Sequence, residues 1–357
     1  MNRDSTSSSL STRLLGQSFV HPIFDYLIIG GGLSLLVMLW IHHAGRLHLS
    51  ISFGDDTISL MAMLILLTNS THFASSTVRL YTKPGATEDM PFLTLAFPVV
   101  AFLMLTLCIF EAGTLGPHLQ SLYLTWSPFH YAAQAYGLAV MYSMHSGCRL
   151  RPLDKKLLRW VCLLPFLLAI VQAGDVGIGW LLPRSVMMEP QVIELLLTTQ
   201  KILTVLIFAS PIALFFWVWR QSGMPMPFIS LLVVITNGVW WATLSYRDAF
   251  VWATVFHGVQ YLAIVTIFHL KDQRKAGDPR SAVHHVARFY ATSLVLAYGL
   301  FALLPHAYVL VGFGFVESML LVVAAINVHH FIVDAFIWRL SRGGNRAIVE
   351  QSVPAAT

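Results

Sequence analysis

Residues Gly314 to Trp338 read GFVESMLLVVAAINVHHFIVDAFIW. At 1.5 Å per residue such a run is long enough to cross the roughly 30 Å hydrocarbon layer of a bilayer. It nevertheless carries Asn327, His329, His330 and Asp334 in its second half. On a helix, Asn327, His330, Asp334 and Trp338 fall on one face, with His329 about 100° around. A membrane helix tolerates such groups when they face other helices rather than lipid. This stretch predicts a bundle of spanning helices with a polar interior.

Nine further apolar stretches repeat the pattern: 23–43, 57–80, 91–111, 119–144, 157–174, 199–219, 226–246, 249–270 and 287–304. The ninth of the ten in chain order, 287–304, is short and is followed closely by Pro305 and His306. Residues 175–198 suit a short re-entrant or interfacial piece, and no internal repeat is visible. The expected fold class is all-α, a polytopic transmembrane helical bundle of about ten spans with both the N- and C-termini cytoplasmic. Length alone suggests two or so domains. The repeating apolar runs favour one membrane domain over 17–340 instead, with a disordered Ser/Thr-rich tail at 1–16 and a flexible tail at 341–357.

Composition agrees. The 357 residues are 56% hydrophobic and 11% charged, with a mean hydropathy of +0.69. Soluble domains carry about 25% charged residues, so a water-facing surface is excluded for most of the chain. The net charge of +5 does not call for nucleic acid, because the cations cluster between the apolar runs. With the N-terminus inside and sides alternating, one face receives eighteen Lys and Arg and the other only Arg46, Arg184, Lys201 and Arg247, accounting for all 22. That bias fits an even number of spans. Cys108, Cys148 and Cys162 form no CxxC pair and read as small buried hydrophobes. The first apolar run starts late and lacks a small-residue cleavage site after it, so it reads as a retained helix rather than a signal peptide.

The fifteen histidines carry the chemistry. His42, His43, His48, His118, His284, His285 and His306 lie at helix ends or in loops. His145 and His269 lie at helix ends where a cation meets the favourable end of the helix dipole. His21, His72, His130, His257, His329 and His330 are the metal-ligand candidates. Asn69, His72, Ser76 and Arg79 make one polar stripe. Ser127, His130, Gln134 and Gly137 make another, and Thr254, His257 and Tyr261 a third with Gln260 near. His21 and Asp25 share a face. Neutral imidazole suits iron, copper and zinc, and ligating rings give their other N–H to a carboxylate or carbonyl. Asp25, Asp334, Gln134, Gln260, Asn327 and Tyr261 are candidates for that supporting role. Tyr136, Trp240 and Trp241 are candidate substrate-lining residues. The bland alternative is interhelical hydrogen bonding by polar stripes that only pack helices. No two histidines stand three or four residues apart, which excludes the HxxxH and HxxHH clusters of membrane desaturases. No GxxxxGK[ST], GxSxG or HExxH motif occurs either.

Taken in order, these motifs resemble the bacterial Brp/Blh-type membrane dioxygenases that cleave β-carotene to retinal. The matching positions are His21 with Asp25, His72-Phe73, Phe256-His257, and His329 with Asp334 and Arg339. The chain departs from that family where Tyr261 stands in place of a second His and Thr77 in place of an Asp, and it is longer. His130 is the candidate replacement for the missing ligand. The resemblance implies a mononuclear non-haem iron held by several histidines, with O2 and a lipophilic, isoprenoid or carotenoid-like substrate entering from the bilayer. It also implies a multi-pass protein of the cell inner (plasma) membrane. Two facing histidines would equally suit b-type haem, and a His/Asp/Arg relay would suit a transporter, for which Gly30-Gly31-Gly32 could loosen the first helix.

Overall fold

The structure is a computed structural model, and it describes residues 14–44, 50–53, 56–338 and 343–350. His48, Arg339 and the tail residues 1–13 and 351–357 lie outside them. All ten apolar stretches are helical. The helices are α1 (Pro22–Ile29), α2 (Gly32–Ala44), α3 (60–82), α4 (Phe92–Phe110), α5 (Gly116–His145), α6 (Pro152–Gln172), α7 (Pro190–Ser222), α8 (Phe228–Thr243), α9 (Tyr246–Lys275), α10 (Ala282–Leu310), α11 (Phe315–Ile337) and α12 (Gly343–Glu350). Five of them, α4, α7, α9, α10 and α11, are long and apolar enough to cross a membrane, and the α1–α2 pair makes a sixth if taken as one span.

The described residues are all-α but for one short hairpin. Ser50–Phe53 and Asp56–Ser59 form an antiparallel hairpin, with Ser50 opposite Ser59 and Phe53 opposite Asp56. Ser, Thr and Ile with period-two alternation favour strand there, and α3 starts only at Leu60. A second difference lies at the C-terminal end. Of the stretch 341–357 expected to be a flexible tail, Gly343–Glu350 is helical as α12, with Asn345, Ile348 and Val349 buried. The ninth stretch is longer than its sequence suggested. A wide π turn at Gly299–Leu303 precedes Pro305, and the helix continues to Leu310. His306 therefore sits on a helix and not in a loop, its ring nitrogen 2.7 Å from the Ala302 carbonyl.

The first span is broken. α1 and α2 meet at 54°, and Gly31 at the break has φ +84°. A Cβ there would stand 2.5 Å from Thr236 Oγ1, so a side chain is excluded by space as well as by backbone conformation. The Thr236 hydroxyl and the Gln260 amide donate to the freed carbonyls of Gly30 and Ile29 at 3.2 and 3.0 Å.

The core lies where α5, α6, α7, α8 and α9 meet, around Leu138, Tyr142, Leu158, Phe215, Val233 and Phe268. Cys108, Cys148 and Cys162 are free and buried, as small apolar residues would be. Outward-facing apolar side chains band α4 (Leu95, Phe102, Leu103) and α7 (Leu195, Ile202, Val205). Apolar surface so extensive fits lipid contact rather than water. α11 packs against α3 on one side and α5 on the other, while α9 packs on α3 and α8. That contact pattern brings the polar stripes of α3, α5, α9 and α11 face to face.

The two described ends of the chain meet at one side chain. His145, at the end of α5, has Nδ1 3.0 Å from the Val349 carbonyl of α12 and Nε2 3.3 Å from the Ser18 carbonyl. Phe19 stacks on its ring at 4.2 Å.

Candidate metal centre

His72 follows a π turn at Leu66–Ser70 in α3. An extra residue in that turn rotates the rest of the helix. Gly258 of α9 lies against this turn, where a Cβ would stand 3.1 Å from the Thr68 carbonyl group. Its missing side chain lets α9 approach closely enough to present His257. His130 follows Pro128 inside α5, and His330 lies on the inner face of α11.

These four histidines are buried and form one group, with one ligand atom from each lying within 4.8 Å of the others. The His72 and His330 Nε2 atoms are 3.1 Å apart, as are those of His330 and His130. The ring centroids of His257 lie 4.8 Å from His72 and 5.0 Å from His130. His257 Nε2 is buried with no hydrogen-bond partner among the described residues.

The hydrogen bonds behind the rings assign their tautomers. His72 Nδ1 lies 2.8 Å from the Asn69 carbonyl oxygen. A carbonyl only accepts, so Nδ1 carries the proton and Nε2 a lone pair. His330 Nδ1 lies 2.9 Å from Ser76 Oγ, whose own proton goes to the Phe73 carbonyl. His330 Nδ1 therefore donates as well. Two Nε2 lone pairs then face each other across 3.1 Å, which repels unless a positive charge lies between them. Nitrogens bound about 2.1 Å from one metal ion, at about 90–110° to each other, are about 3.0–3.4 Å apart. The two closest pairs fall in that range.

Asp334 lies beside the group on its α11 side. Its Oδ2 is 3.4 Å from His330 Nε2 and 3.7 Å from His130 Nε2. Its Oδ1 accepts from the Tyr261 hydroxyl at 2.6 Å, and Trp338 Nε1 donates to that hydroxyl at 3.2 Å. One carboxylate oxygen is thus fixed by Tyr261 while the other faces the imidazoles.

Other positions singled out in the sequence lie elsewhere. His21 is exposed and accepts the Ile23 backbone N–H at the start of α1. Asp25 turns from His21's ring to take the Phe19, Val20 and His21 backbone N–H groups and the Tyr142 hydroxyl. His329 stacks on Phe97 at 4.9 Å, outside the group, and its neighbour His330 is the residue four before Asp334 that enters it. Gln134 donates to the His257 carbonyl at 3.3 Å, and Asn327 donates back to the Val323 carbonyl at 2.7 Å. Gln260 serves the α1–α2 break. Trp240 and Trp241 are buried packing residues. The Trp240 indole donates to Ser34 Oγ at 2.7 Å and stacks on Phe256. Tyr136 does line a cavity, beneath the Arg159 guanidinium at 5.2 Å.

That cavity has a volume of about 1320 Å³. His130, Tyr261 and Asp334 line it, with Trp126, Phe129 and Phe331 among its walls. Sequence reading missed these aromatic walls, since an apolar ring looks the same against lipid, core or cavity. Ser76 was visible on the His72 stripe, but its role in setting the His330 tautomer appears only across the helix interface. Compared with models of protein families, with curated proteins and with solved structures, the chain matches none.

Proposed function

We propose that the protein is an integral membrane oxygenase, or a related oxidoreductase, that holds one non-haem iron between α3, α5, α9 and α11 and acts with O2 on a lipophilic substrate. The observation that carries this reading is the convergence of four buried imidazoles, two of them with their lone pairs turned on each other. Four imidazoles and the Asp334 carboxylate make a donor set of N and O atoms that suits iron. The four imidazoles would hold the metal, and the Asp334 carboxylate beside them would be a further oxygen donor. When bound, the metal supplies the oxygen chemistry. The chain's own residues orient the rings through Asn69 and Ser76, fix Asp334 through Tyr261, and keep the centre dry by burial.

The adjoining cavity supports a lipophilic substrate, because most of its wall is apolar and aromatic. The resemblance in motif order to carotene-cleaving dioxygenases points the same way; of its matching positions His72, His257 and Asp334 lie at the cluster, while His21, Asp25 and His329 do not. Haem is the poorer fit. Axial imidazoles grip a macrocycle from opposite faces, whereas the Nε2 atoms here are 3.1 Å apart with nothing flat able to pass between them. A transporter reading draws on the broken α1–α2 span, but the break is closed by Thr236 and Gln260 rather than by the histidines. We read all ten apolar helices as spans, in a multi-pass inner-membrane protein with both termini cytoplasmic. The meeting of both described chain ends at His145 supports the even count.

Elemental analysis of the purified protein together with its visible spectrum tests this reading. About one iron per chain and no Soret band are expected. A folded protein that binds no transition metal on reconstitution overturns it. Tyr261→Phe keeps every proposed ligand but leaves Asp334 Oδ1 without its donor. Metal affinity measured by chelator competition is expected to fall about 10–100-fold. An unchanged affinity would show that Tyr261 does not position the carboxylate.

A further inference from the structure

The cavity that begins at the histidines does not end in an apolar wall. It follows one side of α5 from His130 to Met144, fourteen residues on, which is about 21 Å along the helix axis. At that far end it is lined by Arg149, Lys155, Arg159 and Arg346. Glu350 is the carboxylate there, and Arg346 already engages it at 2.8 Å. Arg149, Lys155 and Arg159 have no carboxylate partner among the described residues. One part of the cavity thus carries His130 and Asp334, the middle is apolar, and the mouth holds three cations without a carboxylate partner among the described residues. Part-way along, the buried Gln134 Oε1 also lacks a partner among the described residues.

A neutral hydrocarbon substrate would gain nothing from such a mouth. We propose that the cavity takes an amphiphile with an anionic head, a carboxylate or a phosphate on a long apolar tail. Its head sits at Arg149, Lys155 and Arg159, and its tail reaches His130. The substrate role of this amphiphile rests on the metal-centre reading above; its binding does not. The head fixes how deep the tail extends, so the reacting carbons are those remote from the head. Arginine and lysine suit either head, as bidentate and point-charge partners respectively.

The test uses the full chain in phosphatidylcholine nanodiscs, with hexadecanoate, hexadecyl phosphate and hexadecanol as probes of equal tail length. Equilibrium binding is expected to favour one or both anions over the alcohol, and to weaken for anions alone as salt rises. Whichever anion binds more tightly assigns the head as carboxylate or phosphate. In K155Q/R159Q, anion affinity should fall about fivefold or more, with hexadecanol affinity and bound metal unchanged. Equal affinity for all three probes, or an equal loss for all three in the variant, overturns the proposal. A head-group preference in a protein that binds no metal would overturn the oxygenase reading and leave this site standing.

Discussion

Replacing His330 by alanine is expected to leave the purified protein with less than about a tenth of an equivalent of bound metal. No other member of the group has as many partners. Its Nε2 is 3.1 Å from His72, 3.1 Å from His130 and 3.4 Å from Asp334, and its Nδ1 is held by Ser76. Losing this ring removes one ligand and frees the space around which the others are arranged. The neighbouring residue supplies the control. His329 is on the same helix, but its ring stacks on Phe97 at 4.9 Å. His329→Ala should retain about one metal per chain. Metal counted by mass spectrometry in the two variants, purified alongside each other, decides the matter. Equal metal in both, or equal loss in both, would mean that the four-ring cluster is not the binding site.

The second large effect concerns stability. Arg79 is 1% exposed, and residues of α9, α12 and the end of α11 hold it. Asp272 of α9 lies 3.5 Å from Nη2, and Asn345 of α12 accepts from the same nitrogen at 3.3 Å. The guanidinium lies over the rings of Trp338 at 4.3 Å and Phe268 at 5.1 Å. Its Nε and Nη1 make no hydrogen bond among the described residues, so Asp272 carries most of the compensation. Asp272→Asn leaves a buried cation without its counter-charge and should destabilise the protein by about 3–5 kcal/mol. Arg79→Met combined with Asp272→Asn removes both charges and should recover about half of that loss or more. Equilibrium unfolding in mixed micelles measures both. A cost below about 1 kcal/mol for Asp272→Asn would mean that water or the two rings suffice to hold the charge.

Helical periodicity made much of this site legible. On α11 it set Asn327, His330 and Asp334 on one face with His329 about 100° around, yet both histidines stood as candidate ligands. On α3 it joined His72 to Ser76 and Arg79. What periodicity cannot supply is which stripes meet. His21 with Asp25 looked like a ligand with its support, but Asp25 is consumed by backbone N–H groups just before α1. Trp240 and Trp241 showed an inner face without showing whether a cavity or a core lay beyond it. The ten helices were readable as apolar runs, yet several fail a strict test of length and hydropathy. α5 is one of them, because the residues it turns inward include Ser127, His130, Ser143 and His145. Such a helix sees protein more than lipid and need not be apolar all round. α12 was hidden because two buried apolar residues, Ile348 and Val349, make too short a pattern to stand out from a tail.

The π turn at Leu66–Ser70 has a consequence for how such a centre can arise. A π turn holds one residue more than the α-helical turn it replaces, so everything after it is rotated by about 100° relative to an unbroken helix. His72, Ser76 and Arg79 all lie after that turn, in the same stretch of α3. One inserted codon therefore swings a ligand, the serine that sets its neighbour's tautomer, and the buried arginine toward the bundle axis together. Shortening that turn by one residue would turn all three side chains away at once, with every candidate ligand still present in the sequence.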